Sequence, residues 1–408
     1  MQLSRRGLLG SAAALSTVPL VRARGQAKPT IKLGVLTDLS GTYRDNTGPT
    51  TVACVRQAIE EFNPGGHGFE VDLRQADHQN KPDVAASIAR QWYDEGVLAA
   101  IDVPTSSVAL AVAQVAKEKD KIMLNASATT TDLTDGQCSP NTIVWSFDTY
   151  ENAASTGGAM VRGGNKDWFF ITADYVFGHI LEAQNMALVK KAGGEVKGAV
   201  RYPFPDTTDF SSYLTQAMAS GATTLGLANA GLDTQNCVKQ AHEFGLNTKM
   251  KIVPLLLFIT DAHALGPQMA AGLVTTETFY WDLNDRTRAF TKRVLPKTPN
   301  NYPNQAHASG YGITLHYLKA VAAMGPAEAM KSGRDTVAKM KSLPTEDDAF
   351  GKGSIRADGR GVFPAYLFTV KSAAESKGPW DLYKLEHTSP PSEVLHPLSD
   401  KCKFPTSA

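Results

Sequence analysis

Short apolar runs alternate along the chain with longer segments in which apolar positions recur at helical spacing. Ile31 to Thr37 and Ile122 to Asn125 have the length and composition of buried strands. Gly48 to Phe62 has the periodicity of a helix, and the following Asn63-Pro64-Gly65-Gly66 would end it. Strands that alternate with helices in this way predict βαβ units and a parallel sheet covered on both faces.

The pattern begins again near residue 167. Asp167 to Asp174 repeats the order of the first strand, because both copies run from an apolar segment into Thr, Asp and a loop with a tyrosine, Tyr43 or Tyr175. Further strand and helix patterns follow, and the last strand expected in this copy is Gly272 to Thr278. Two doubly wound α/β lobes explain this restart better than one oversized sheet.

One stretch combines a strand, a loop and a helix start. Ala100 to Val103 reads as a buried strand, Pro104 stiffens the loop, and Ser106 and Ser107 precede apolar positions at helical spacing. In an open α/β sheet, ligands bind beyond the carboxyl ends of the strands, and a helix N-terminus there favours an anion. The two serines are therefore candidates for binding a carboxylate. The alternative is that they only cap the helix.

The first 27 residues have the features of an export signal. Paired arginines, Arg5 and Arg6, precede the short apolar run Leu8 to Leu20, and Gly25-Gln26-Ala27 has the small residues of a cleavage site. The arginine pair indicates the twin-arginine route, with an ordinary secretory signal as the alternative. We expect a soluble periplasmic protein.

Charge gives no reason to expect a nucleic-acid or membrane partner. The chain has 41 basic and 40 acidic residues, and four of the basic ones are arginines of the first 27 residues, so the remainder has a net charge near −3. A mildly acidic balance lacks the positive field that nucleic acids and anionic membranes attract.

Cysteine positions suggest one disulfide and no metal site. Cys54 and Cys237 fall among apolar positions of predicted helices, where cysteine is usually a small buried filler. Cys138 and Cys402 lie in polar, loop-like sequence and are the pair expected to bond if any does. Metal-type spacing and the motifs of hydrolases and phosphate-binding loops are absent from the sequence, so we expect no enzyme, metal or cofactor. His78 and His307 are expected to pack or face solvent rather than catalyse.

Several motifs together resemble a known family. They are Leu39-Ser40-Gly41, Pro104-Thr105-Ser106-Ser107, Asn125-Ala126-Ser127-Ala128-Thr129, Thr172 to Gly178, and Asn229-Ala230-Gly231. Their order over nearly the whole chain is similar to the type I periplasmic solute-binding proteins of ABC importers, in particular the branched-chain amino-acid-binding group. The resemblance implies two lobes joined by three crossovers, near residues 147–150, 278–281 and 362–366. The corresponding division is residues 28–148 with 279–362, residues 149–278 with 363–390, and a tail of residues 391–408.

The resemblance also implies a ligand site between the lobes. The family holds its ligand carboxylate on hydroxyls and N–H groups that correspond here to Ser106, Ser107, Ser127, Ala128 and Thr129. Amino-acid binders add an acidic side chain from the second lobe for the ammonium group. None stands in the matching stretches here, residues 227–231 and 253–258, although Asp233 or Asp261 would supply one if its loop turned inward.

The remaining candidates are apolar, aromatic or neutral. Tyr43 and Tyr175 should face one another across the cleft, Phe258 should contribute an apolar wall, and Asn229 should hydrogen-bond the far end of the ligand. We therefore expect a monomer that binds a small carboxylate with an aromatic or apolar body and delivers it to an ABC permease of the inner membrane. An amino-acid ligand and a sensor of the same fold are the alternatives.

Overall fold

The first lobe is built on a five-stranded parallel sheet. The computed structural model describes residues 28–402. The strands are β1 (Thr30–Thr37), β2 (Glu70–Asp77), β3 (Val97–Asp102), β4 (Ile122–Asn125) and β5 (Thr142–Val144), and the helices between them are α1 (Gly48–Phe62), α2 (Pro82–Asp94) and α3 (Ser106–Glu118). Their spatial order is β2-β1-β3-β4-β5, so the strand order reverses between β1 and β3. Every residue of β3 is buried, which explains its continuous apolar sequence.

The second lobe repeats this order with four parallel strands, β7-β6-β8-β9. It contains α4 (Thr149–Asn152), α5 (Gly158–Arg162), β6 (Asp167–Ala173), α6 (Val176–Lys191), β7 (Glu195–Tyr202), α7 (Ser211–Ala219), β8 (Thr224–Ala228), α8 (Leu232–Glu243), β9 (Lys251–Pro254), α9 (Ile259–Leu265), α10 (Pro267–Ala270) and β10 (Val274–Glu277). A π-helical segment, Ala153–Gly157, joins α4 to α5. Here the strand order reverses between β6 and β8, so each lobe has its own switch point.

The remaining chain adds to both lobes. It forms α11 (Asp285–Val294), α12 (Gln305–Met324), α13 (Pro326–Ala329), α14 (Gly333–Ser342), β11 (Thr345–Asp347), β12 (Gly351–Ile355), β13 (Gly361–Val362), β14 (Ala365–Val370), β15 (Tyr383–Ser389) and α15 (Pro391–Val394). Helix α12 packs closely on α1, because Gly310 allows the side chain of Thr51 to approach its backbone. Phe368 and Tyr383, from β14 and β15, belong instead to the core of the second lobe.

Strand β10 differs from the sequence-based expectation. The strand predicted from Gly272 to Thr278 was expected to continue the parallel sheet, but β10 pairs antiparallel with β14, which pairs antiparallel with β15. The chain reaches β14 from the first lobe rather than through a helix of the second, so it enters in the opposite direction.

A buried ion-pair cluster joins two of the segments that connect the lobes. The guanidinium of Arg360 bonds to the carboxylates of Asp148 (2.9 Å) and Glu151 (2.8 Å) and donates to the carbonyl oxygens of Trp145 and Gly361. All three charged side chains are essentially inaccessible to solvent. This cluster fixes the start of α4 against the strand that follows the Asp358-Gly359 turn.

The C-terminal segment returns to the first lobe. Cys138 and Cys402 are joined by a disulfide, with their Cα atoms 5.7 Å apart, and Cys54 and Cys237 are free and buried. The Thr134 hydroxyl also lies 2.9 Å from His396 Nε2. In residues 28–402, no helix has the length and hydrophobicity needed to span a membrane.

Candidate functional site

A cavity lies where the two switch points face each other. Its lining comes from the loops after β1, β3 and β4 of the first lobe and from the loops after β6, β8 and β9 of the second: Tyr43, Asn46, Thr47, Pro104, Ser106, Ser127, Thr129, Tyr175, Phe177, Ala230, Leu256 and Phe258. The free volume between these side chains is about 20 Å³, close to the space that one water molecule needs. A larger ligand therefore fits only when the lobes or the lining side chains move apart.

The first wall is the N-terminus of α3. Thr105 precedes the helix, but its hydroxyl donates to Asn80 Oδ1 and does not cap the free N–H groups of the first turn. Ser106 is almost fully buried, and its Oγ has no hydrogen-bond partner among the described residues. A helix start with free N–H groups and an unpaired hydroxyl is suited to binding an anion.

Backbone strain precedes this helix. Asp102 and Val103 have φ angles of 86° and 57°, a region that non-glycine residues, and β-branched ones above all, rarely adopt. The Asp102 carboxylate accepts a hydrogen bond from Ser127 Oγ (2.5 Å), and its burial raises its pKa to about 6. This contact ties the loop after β3 to the loop after β4, which carries Ser127 and Thr129.

The loop after β1 is wrapped around one buried carboxylate. Asp38 accepts hydrogen bonds from the backbone N–H groups of Ser40 (3.1 Å), Gly41 (2.6 Å) and Tyr43 (2.8 Å), and from the Asn80 amide. These bonds hold Tyr43 toward the second lobe.

Aromatic side chains close the cavity between the lobes. The hydroxyl oxygens of Tyr43 and Tyr175 are 2.6 Å apart, and Phe204 stacks on the Tyr175 ring at a centroid distance of 4.3 Å. Next to them, the Leu232 N–H donates a hydrogen bond to the Thr42 carbonyl oxygen (3.2 Å). Glycine is needed at position 231 for this approach, because a Cβ there would lie only 2.5 Å from the same oxygen. The lobes are therefore in direct contact around the cavity.

Asn46 is a lining residue that the sequence analysis missed. Its amide donates to Asp261 Oδ2 across the lobe boundary (2.9 Å), while its Oδ1 has no partner within the described part of the chain. Thr47, Pro104, Phe177, Ala230 and Leu256 also line the cavity without having been proposed as site residues. Pro104, Phe177 and Ala230 belong to the quoted motifs and Leu256 to the stretch 253–258, whereas no sequence signal pointed to Thr47.

The structure brings together six of the nine proposed ligand-binding residues: Tyr43, Ser106, Ser127, Thr129, Tyr175 and Phe258. Three others lie outside the lining. Ser107 is the next residue of α3 and points away from the cavity wall, because successive helical side chains are about 100° apart. The Ala128 N–H already donates to Asn125 Oδ1 (2.9 Å). Asn229 is fully buried and accepts a hydrogen bond from Thr234 Oγ1 (2.7 Å) at the start of α8.

Asp233 and Asp261, the two acidic residues considered as partners for an ammonium group, are engaged in other hydrogen bonds. Asp233 accepts a hydrogen bond from the Tyr202 hydroxyl (2.7 Å), and Asp261 accepts bonds from Asn46, Gln235 and the Phe258 N–H. Within residues 28–402, no Asp, Glu, Lys or Arg side chain lines the cavity. The site is therefore built from neutral groups.

Both histidines considered in the sequence analysis are buried. Burial lowers the pKa of His78 to about 4 and that of His307 to about 3, so both are neutral at pH 7. His78 Nδ1 accepts a hydrogen bond from Asn80 N–H, and His307 Nε2 lies 3.1 Å from the Thr47 carbonyl oxygen. Their role in the structure is packing and hydrogen bonding.

Two similar lobes with a neutral cavity between their switch points define a binding protein that encloses a small ligand. The family model described as periplasmic binding protein matches residues 30–378, and the chain belongs to this family. The family consists of substrate-binding proteins rather than enzymes.

The chain is similar to solved structures and to a curated relative. A periplasmic binding protein from Burkholderia mallei is 40% identical, with a TM-score of 0.86, over 92% of this chain and 99% of that one. A branched-chain amino acid ABC transporter periplasmic ligand-binding protein from Burkholderia xenovorans is 36% identical, with a TM-score of 0.78, over 91% and 100%. The curated Leu/Ile/Val-binding protein homolog 3 from Brucella melitensis is 25% identical over 77% of this chain and 83% of its own length.

More distant structures share the fold and have different ligands. A solute-binding protein from R. palustris in complex with benzoate is 20% identical, with a TM-score of 0.77, over 88% and 97% of the chains. A leucine-, isoleucine-, valine-, threonine- and alanine-binding protein from Brucella ovis is 21% identical, with the same TM-score, over 92% and 99%. The fold therefore does not select between aromatic acids and amino acids.

Proposed function

We propose that this protein binds a small organic acid with an aromatic or apolar body. The observation that carries the proposal is the combination, in one cavity, of an unpaired Ser106 hydroxyl at the start of α3 with a lining that holds no charged side chain. A carboxylate would accept hydrogen bonds from Ser106, from the first N–H groups of α3 and from Thr129. The ligand body would lie among Tyr43, Tyr175 and Phe258.

The second part of the proposal is transport. The protein would be exported to the periplasm, enclose the acid between its lobes as a monomer, and deliver it to an ABC permease in the inner membrane. Contacts from the Ser106 side and the Phe258 side would stabilise the closed form, since only a ligand that touches both lobes can shift the equilibrium between open and closed.

An α-amino acid is the second candidate, supported by the names of the relatives from B. xenovorans and B. melitensis. The lining argues against it, because an ammonium group beside Leu256 and Phe258 would lack an anionic partner and its burial would cost several kcal/mol. A ligand sensor of the same fold would use the same site.

Titration calorimetry on protein stripped of ligand by unfolding and refolding tests the proposal. The panel is benzoate, 4-hydroxybenzoate, 3-phenylpropanoate, leucine and valine at pH 7.5. The proposal predicts 1:1 binding of at least one aromatic acid and none of leucine or valine. Tight binding of either amino acid without binding of any acid would overturn it.

A further inference from the structure

Two side chains that line the cavity carry hydrogen-bond acceptor atoms to which no donor within residues 28–402 bonds. The first is Asn46 Oδ1. Asn46 is 1% exposed and lines the cavity, and its Oδ1 has no partner within residues 28–402. A buried carbonyl oxygen left without a donor is costly, and a molecule bound in the adjoining cavity would satisfy it if it carried a donor.

Contacts of Asp261 determine which way the Asn46 amide points. Asp261 Oδ1 accepts a hydrogen bond from Gln235 Nε2 (2.9 Å), and Oδ2 accepts from the Phe258 N–H (3.0 Å) and from Asn46 Nδ2 (2.9 Å). An ionised carboxylate can only accept, so the opposite orientation would place the Asn46 oxygen against a carboxylate oxygen. The Asn46 oxygen is therefore the amide atom left without a partner within residues 28–402.

The second acceptor is Ser127 Oγ. A serine hydroxyl has one proton, and Ser127 donates it to Asp102 Oδ1 (2.5 Å). Asp102 is fully buried and held in a backbone conformation with φ of 86°, so this contact is maintained at a conformational cost. With its proton engaged, Ser127 offers lone pairs to the cavity, in contrast to Ser106, whose hydroxyl remains free to donate.

We infer that the ligand is a hydroxy acid: in addition to the carboxylate placed at Ser106, it carries a neutral hydroxyl group that donates a hydrogen bond to Asn46 Oδ1. This inference rests on the proposed function and specifies its ligand class. A hydroxyl fits better than an ammonium group, because both acceptors are neutral oxygens and the lining has no carboxylate. Asn46 is then a specificity-determining residue, and its bond to Asp261 links recognition of the hydroxyl to contact between the lobes.

Matched ligand pairs that differ by one hydroxyl test the inference. The probes are benzoate against 3- and 4-hydroxybenzoate, 3-phenylpropanoate against 3-(4-hydroxyphenyl)propanoate, and phenylacetate against mandelate. Because an unpaired buried acceptor disfavours the analogue without the donor, we expect at least one hydroxylated acid to bind about 10-fold or more tightly than its partner. In Asn46→Leu, which has nearly the same volume, that ratio should fall to about 2-fold or less.

Gln235→Leu is the matched control. It also removes an amide donor from Asp261, but Gln235 does not line the cavity and Asn46 Oδ1 is retained. Absolute affinity can change in this variant, whereas the hydroxyl preference should persist. Circular dichroism and thermal melting establish that both variants fold, and Asn46→Ala, which also removes the acceptor, replaces the leucine variant if that variant does not fold.

The outcomes separate the two proposals. If acids bind but each hydroxylated acid matches its partner within 2-fold, or if Asn46→Leu keeps the preference, the inference is wrong and the proposed function stands. If none of the acids binds, both are wrong. A hydroxyl preference that Asn46→Leu abolishes and Gln235→Leu retains supports the inference.

Discussion

Ser106 and Ser107 are adjacent, chemically identical and differently placed, so they provide a direct test of the carboxylate site. Ser106→Ala removes the only lining hydroxyl at the start of α3, and we expect it to weaken binding of the preferred acid by about 10-fold to 100-fold, as for loss of a hydrogen bond to a charged group. Ser107→Ala leaves the cavity wall unchanged and should keep the wild-type affinity. Calorimetry on both variants measures the difference, and equal losses would show that the serines act only through the helix.

Individual site residues show what could and could not be predicted from the sequence. The motif that carries Ser106 could be recognised, because a serine after a buried strand and before a helix has few roles. Which serine faces the cavity depends on the rotation of α3, which the sequence does not determine. Asn46 was missed because its role comes from Asp261, which is 215 residues away in the chain.

Among the structural elements, the buried cluster around Arg360 should be the most sensitive to substitution. Arg360→Met leaves Asp148 and Glu151 buried without their cation, and we expect a loss of about 3–5 kcal/mol in the free energy of unfolding, measured by urea denaturation. The triple variant Arg360→Met, Asp148→Asn, Glu151→Gln should recover part of this loss. Arg90→Met, which breaks an exposed pair with Glu118, should be nearly neutral. An Arg360→Met variant as stable as the wild type would contradict this account.

Elements with strong local patterns could be predicted, and those defined by long-range pairing could not. Helix α1 and strand β4 begin and end at the predicted residues, since their boundaries depend on local apolar spacing and on breakers such as Pro64. Strand β15 was not predicted, because five of its seven residues are exposed and its sequence lacks an apolar pattern. The direction of β10 depends on β14, about 90 residues later, which no local pattern reveals.

The stability of the whole molecule should depend on pH in an unusual way, because the pKa values of several buried carboxylic acids are raised. Burial raises the pKa of Asp233 to about 7 and that of Glu277 to about 8, against ordinary values near 4. The folded state then holds protons that the unfolded state has released, so this contribution is complete at low pH and is lost as pH rises through 7 and 8. The free energy of unfolding should therefore be higher at pH 6.5 than at pH 8.5 by about 1 kcal/mol or more.

Urea denaturation at the two pH values measures this change. Below pH 6.5 the trend should weaken, because His78 and His307 are buried neutral and their protonation favours the unfolded state. Asp233→Asn keeps the acceptor for the Tyr202 hydroxyl but removes the titration, so its pH dependence should be smaller. Stability that rises toward pH 8.5 in the wild type would contradict the assignment of these groups.

The central claim is that a small acid lies between the lobes with its carboxylate on the first lobe and no charged partner on the second. A crystal structure of the protein with its preferred acid bound tests this most directly. The account predicts a carboxylate oxygen within hydrogen-bond distance of Ser106 Oγ and of an N–H group in the first turn of α3, with the ligand body against Tyr175 and Phe258. A ligand amine paired with Asp233 or Asp261, or a carboxylate bound away from Ser106, would contradict it.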